Sequence, residues 1–298
     1  MGLKEDIKQA ITGRNSAVRQ LIAINVAVFL LYVIIAVSLF LFGQAELTAD
    51  LDKTTALPAA WYIALEKPWT LLTYFFVHHD PFHIFFNMIM LYWFGMLIEE
   101  YLGRIRLFNL YLLGGLFGGL FYILCYNLLP GLQVIANSVI LIGASGAIYA
   151  VVLGAATLLP DYRFNLFLFG PVKITWIAAA YVIISFASIR SGNPGGNLAH
   201  LGGALFGFIY IRQLRSGNDW GRPINYIRNT VQHILAPEAK MKVTRGGTTS
   251  RFPLKSTTNN NMPSEDDVNR ILDKIISSGY DSLSKEEKSI LSRAGQNK

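Results

Sequence analysis

The sequence predicts an all-α membrane protein: a bundle of six transmembrane helices, a membrane-associated first loop and a soluble C-terminal tail. Three observations carry this. First, 52% of the 298 residues are apolar and only 15% are charged, against roughly a quarter charged in soluble domains. Second, long apolar runs alternate with short polar breaks up to about residue 215, after which the chain turns polar. Third, the lysines and arginines fall on alternate connections in the way six crossings require. The single cysteine, Cys125, excludes an internal disulfide framework.

In chain order, residues 1–17 read as a hydrophilic cytoplasmic segment with Lys4, Lys8 and Arg14. The run Val18–Phe42 is far longer than the ~7–15 residue core of a cleavable signal peptide, so it reads as a retained first span. The others are Pro81–Ile98, Leu107–Leu129, Ser138–Leu159, Val172–Ile189 and Pro194–Ile211. Prolines mark their ends, because proline fits a first helical turn and stops a helix elsewhere. Asp80-Pro81 is an N-cap followed by a first-turn proline. With the N-terminus inside, the inner segments also hold Arg19, Arg104, Arg106, Arg163, Lys173, Arg212 and Arg215; the outer ones hold Lys53, Lys67 and Arg190. Both termini are then cytoplasmic. The first loop contains Trp61, Tyr62, Trp69 and Tyr74, which favour the membrane interface. Together these spans make one membrane domain, residues 18–215.

Residues 216–263 combine an amphipathic segment with a linker. Ile224, Ile227, Val231, Ile234 and Leu235 fall at helical spacing. That face fits either the inner membrane surface or the membrane body. Lys242–Pro263 is rich in Thr, Gly, Asn and Ser and reads as flexible. Residues 264–298 predict a small helical hairpin, capped by Ser264 and by the Ser284-x-x-Glu287 capping box; its partner is not legible. The net charge of +7 comes from basic residues spread among acids, which points to anionic lipid headgroups rather than nucleic acid.

Ionisable and polar groups inside spans are costly and therefore candidates for function. A small set gathers at the outer side: His78, His79, His83, Asn87, Ser145 and His200. Ser145 lies in Gly143-Ala144-Ser145-Gly146, where a loop-to-helix junction can present a hydroxyl and backbone N–H groups together. Helix packing is the competing account, since Gly146, Ala150 and Gly154 form a small-residue stripe. Ala199, Gly203 and Gly207 form a second stripe around His200, so the two spans are expected to approach closely enough for a serine–histidine hydrogen bond. A histidine that caps backbone at the outer surface is the alternative for His200. No carboxylate is placed to complete a triad. Tyr149, one turn after Ser145, can orient the imidazole or serve as an ordinary core aromatic. His83 and Asn87 share a helix face and can donate to an oxyanion. The His78/His79/Asp80/His83 cluster offers metal ligands, but it lacks an H-E-x-x-H arrangement and Pro81 interrupts it. No metal is expected.

His83-x-x-x-Asn87, Glu99-x-x-x-Gly103, Gly143-Ala144-Ser145-Gly146 and Ala199-His200-x-x-Gly203-x-x-x-Gly207, in that order on those spans, resemble the rhomboid family of intramembrane serine proteases. The resemblance implies a six-helix rhomboid-like bundle over about residues 18–215, with Ser145 as nucleophile and His200 as general base. His83, Asn87 and the Ser145 N–H would form the oxyanion hole, Tyr149 would pack on His200, and Gly143, Gly146, Gly203 and Gly207 would support the site. It implies transmembrane protein substrates, membrane lipids as surroundings, no cofactor, and residence in a bacterial cytoplasmic membrane. Trp69-Thr70 departs from the family's frequent Trp-Arg. The rival readings are an inactive rhomboid-like protein that binds membrane clients and a small-solute transporter; the latter would usually show an inverted repeat.

Overall fold

A computed structural model of the chain describes residues 16–166, 170–190, 192–235 and 265–295. The 1–15 segment, the linker and the Ser264 cap lie outside the described residues. Helices occupy all six apolar stretches: α1 (Ala17–Leu41), α2 (Pro81–Leu102), α3 (Arg104–Leu128), α4 (Ser145–Leu158), α5 (Ile174–Ala187) and α6 (Pro194–Arg215).

Local chemistry explains the ends. Asp80 accepts the His83 amide at 2.7 Å, and Pro81 opens α2. Asn193 accepts the Gly196 amide at 2.8 Å ahead of α6. Glu99 does more than end α2. Its carboxylate accepts the amides of Ala17 at 2.7 Å and Val18 at 3.1 Å and the Ser16 hydroxyl at 2.9 Å. A negative charge thus caps the N-terminus of α1 from a neighbouring helix.

Two spans are shorter than expected. The fourth begins at Ser145, not Ser138, because Ile140–Leu141 pair as a strand with Leu57–Pro58 of the first loop. The fifth begins at Ile174, not Val172, because Gly170–Lys173 pair with Arg163–Leu166 in a hairpin. At 14 residues each, α4 and α5 run about 21 Å, short of the ~30 Å hydrocarbon core. By length and composition, α1, α2 and α3 are the described helices able to cross a membrane.

Burial sorts the helices. Most of α4, from Gly146 to Ala156, is buried, enclosed by α6, α3 and α2. By contrast α1 exposes Leu30, Leu31, Ile34, Val37, Phe40 and Leu41, and α5 exposes Trp176, Ile183, Ile184 and Phe186. Apolar exposure on this scale has lipid as its natural solvent. In the first loop Trp61, Tyr62 and Trp69 are exposed, as an interface requires, but Tyr74 is buried and donates to the Gly115 carbonyl at 2.6 Å. Thr70, which departs from the frequent Trp-Arg, is buried and donates to Lys67 O at 2.7 Å; Trp69 and Thr73 tie the loop to the carbonyls of Thr54 and Thr55.

After α6, α7 (Arg222–Leu235) starts against the body: Asn109 of α3 donates to Asn225 Oδ1 at 3.1 Å. The side chains of Ile227, Val231, Ile234 and Leu235 are outside the described set. A separate unit contains α8 (Glu265–Ser278) and α9 (Lys285–Gly295). Its capping box is formed, with Glu287 N donating to Ser284 Oγ at 3.2 Å and Ser284 N to Glu287 Oε2 at 2.8 Å.

Candidate active site

The site forms where the first turn of α4 meets the second turn of α6. Gly143 precedes α4 at φ +112°, in the left-handed region, and its amide donates to Tyr74 O at 2.9 Å. A Cβ there would lie 2.7 Å from the His83 ring. Only glycine satisfies both the backbone and the histidine. Ser145 is then the first residue of α4, so its amide belongs to the unpaired N–H groups of a helix start.

The two small-residue stripes bring the backbones into contact. A Cβ on Gly203 would overlap the Gly146 carbonyl, and one on Gly207 the Ala150 carbonyl. This close approach lets the side chains meet: Ser145 Oγ lies 2.7 Å from His200 Nε2. Tyr149 stacks on the imidazole with centroids 4.2 Å apart and planes 8° from parallel, and Tyr181 packs behind it at 5.2 Å.

The sequence reading missed Ser185, which is buried on α5. Its Oγ lies 3.2 Å from His200 Nδ1 and its hydroxyl donates to Tyr149 OH at 2.8 Å. That donor direction fits a ring proton on Nδ1 donated to Ser185, the tautomer in which Nε2 would turn a lone pair to Ser145. A hydroxyl in the middle of an apolar run was the only available signal. Nothing in the sequence shows which way α5 faces.

His83 lies beside Gly143, as above, and Asn87 is buried one turn on. Asn87 Nδ2 is 3.0 Å from His78 Nε2, which also accepts the Ala144 amide at 3.2 Å, while His78 Nδ1 faces Phe76 O at 3.3 Å. His78 is therefore a buried bridge holding the loop, α2 and the turn before Ser145 in register. Burial pushes its pKa down to about 4, with His83 adding to the shift.

The other members of the cluster point elsewhere. His79 pairs with Asp52 at 2.9 Å and stacks on Tyr32, and Asp80 is occupied as the cap of α2. Among the described residues, no three His, Cys, Asp or Glu side chains converge as metal ligands would. What converges is a hydroxyl, an imidazole lone pair and helix-start donors, the parts of a nucleophile–base unit.

The Rhomboid domain model matches residues 65–216, from the first loop to the end of α6. The chain belongs to the rhomboid family. Its relatives include RHOMBOID-like protein 12, mitochondrial, of Arabidopsis thaliana, 32% identical over 157 residues, covering 50% of this chain and 47% of that one. RHOMBOID-like protein 1 of the same plant is 28% identical over 208 residues, covering 68% and 48%. Rhomboid protein 1, mitochondrial, of Saccharomyces cerevisiae is 27% identical over 194 residues, covering 61% and 52%. This rhomboid spans about half the length of the relatives it matches. They come from a plant and a yeast, and two are named mitochondrial, so they lend no support to the expected bacterial inner membrane.

Proposed function

We propose that this rhomboid is an intramembrane serine endopeptidase that hydrolyses peptide bonds in or near transmembrane segments of other membrane proteins. The observation that carries the reading is the 2.7 Å approach of Ser145 Oγ to His200 Nε2, within reach of helix-start N–H donors. In the proposed cycle His200 Nε2 takes the Ser145 proton as Oγ attacks the scissile carbonyl carbon. The oxyanion is met by the Ser145 N–H, His83 and the Asn87 proton not used on His78. Collapse breaks the C–N bond, and His200 returns its proton to the leaving amine. Water, deprotonated by His200, then cleaves the acyl-enzyme.

We further infer six crossings with both termini cytoplasmic, in the orientation the basic residues favour. A helix hides its carbonyls in hydrogen bonds, so preferred substrates should unwind easily near their outer ends and carry small or helix-breaking residues there. On this topology the tail, across the membrane from Ser145, cannot reach the scissile bond and tunes supply or stability. A client-binding protein without activity would have no need for the paired hydroxyl and imidazole, which weighs for cleavage.

The test is cleavage of a model transmembrane substrate in detergent. Ser145→Ala and His200→Ala should each abolish it, since losing one member of such a unit costs about as much as losing both. A serine-directed fluorophosphonate should label the wild type but not Ser145→Ala. Full activity in folded Ser145→Ala protein would overturn the reading.

A further inference from the structure

At the opposite end of the bundle from Ser145, α4, α5 and α6 part to leave a crevice of about 650 Å³. Its lining includes Ala156 of α4, Ala178 and Ala179 of α5, and Phe208, Arg212 and Arg215 of α6. From Ser145 to Ala156 is about 16 Å along the helix, so this is not a lobe of the active site. The walls are mostly apolar, with the alanines at their centre and Thr157 and Thr175 among them. The rim is cationic, and among the described residues no carboxylate lines it.

The electrostatics run against chance. Two helix C-termini, of α4 at Leu158 and of α6 at Arg215, meet at this rim, and the negative ends of their dipoles would repel an anion. The guanidiniums reverse that sign. Arg215 donates to Leu158 O at 2.7 Å, which covers the carbonyl end and fixes the group, its other N–H donors having no partner among the described residues. Arg212 is held over the Phe208 ring at 5.5 Å. The nearby Lys173 is already paired with Asp161 at 2.8 Å, whereas among the described residues Arg212 and Arg215 have no acidic partner. Two guanidiniums one turn apart match a phosphodiester better than a point charge would, and basic pockets between membrane helices are suited to lipid headgroups.

We propose that this crevice binds one anionic phospholipid, an acyl chain lying along Ala156, Ala178 and Ala179 and the phosphate between Arg212 and Arg215. The proposal rests on the membrane reading of the chain and not on proteolysis.

The full chain, purified in a neutral detergent, is mixed with phosphatidylglycerol, with phosphatidylcholine of the same acyl chains, or with water-soluble glycerol 3-phosphate. Retained lipid is read by native mass spectrometry and Tm is measured alongside. Phosphatidylglycerol should be retained at one molecule per chain and raise Tm, while the other two do neither. Arg212→Gln, at an exposed position, should weaken retention about tenfold or more. Ala179→Phe, which fills the crevice and keeps both arginines, should abolish it while Tm without lipid confirms folding. Equal retention of the two lipids, or wild-type retention in both variants, would overturn the site. Glycerol 3-phosphate that binds as tightly as the lipid would overturn the lipid assignment. Because the readout is bound lipid, a protein inactive in cleavage can still pass.

Discussion

Replacing Gly203 by alanine should separate the serine from the histidine without touching either. A Cβ on Gly203 overlaps the Gly146 carbonyl, well inside the 3.0 Å that real Cβ contacts keep. Both partners are helix backbone, so no side chain can rotate away. The helices must part by roughly 1 Å at the turn carrying His200, a typical overpacking response costing ~1–3 kcal/mol. Adding that to the 2.7 Å between Ser145 Oγ and His200 Nε2 takes the pair past the ~3.5 Å at which a hydrogen bond ceases to count. A misplacement of ~1 Å can cost ~10²-fold in rate. Initial cleavage rates and thermal unfolding are compared for wild type, Gly203→Ala and Gly131→Ala. The last is a control, because a Cβ at Gly131 meets nothing within 4 Å. The expected result is a folded Gly203→Ala protein, lower in Tm by several degrees, with at least a hundredfold slower turnover and an unaffected control. Wild-type rate and Tm in Gly203→Ala would refute both the helix contact and its link to activity.

Ser185→Ala should lower kcat by about tenfold to a hundredfold with KM nearly unchanged, and Ser185→Thr should recover part of the loss by restoring a hydroxyl. Glu99→Gln should destabilise the fold by about 1.5–3 kcal/mol through its charged bonds to the start of α1, seen as a lower denaturation midpoint with no change in rate per folded molecule. His78 binds its proton less readily when folded, at about 4 against an ordinary 6.5. The unfolded chain therefore takes up the proton first as pH falls, and stability should drop between about pH 6.5 and 4, by up to about 3 kcal/mol. His78→Gln should flatten that part of the stability-against-pH curve; an unchanged slope would remove His78 from the account.

What was legible in the sequence was what depends on local pattern. Asp80-Pro81 marked the start of α2 because cap and first-turn chemistry act within four residues. The approach of Ser145 to His200 was legible because two small-residue stripes imply a close helix contact. What depends on pairing between distant segments was not. Ile140–Leu141 read as helix because apolarity does not reveal a strand partner at Leu57–Pro58, and the Val172 end of the fifth span read as helix although it closes a hairpin with Phe164. Tyr74 was grouped with the interface aromatics, since nothing in its neighbourhood shows that Gly119 leaves space for its ring. The cap that Glu99 places on α1 and the contact of Ser185 with His200 escaped for the same reason: each acts on another helix.

Ser185 also bears on how the proposed protease could do without an acid. A carboxylate behind an imidazole holds the tautomer and stabilises the imidazolium, but inside a membrane bundle it must first be stripped of water, at a cost of several kcal/mol. Left unpaired, it would draw a proton and lose its purpose. A serine hydroxyl accepts the same Nδ1 proton with no charge to bury. Its own proton passes to Tyr149, and the flat stack of that ring on His200 fixes the imidazole plane that a carboxylate would otherwise have to fix. The hydroxyl and the tyrosine together supply orientation and tautomer. The imidazolium of the proposed proton transfer would be met by the face of the Tyr149 ring, which attracts a cation, and by the oxyanion that would appear beside it at the same moment. In the proposed cycle charge would exist in the site as a pair created and destroyed within one turnover, which a low-dielectric interior tolerates far better than a permanent buried ion.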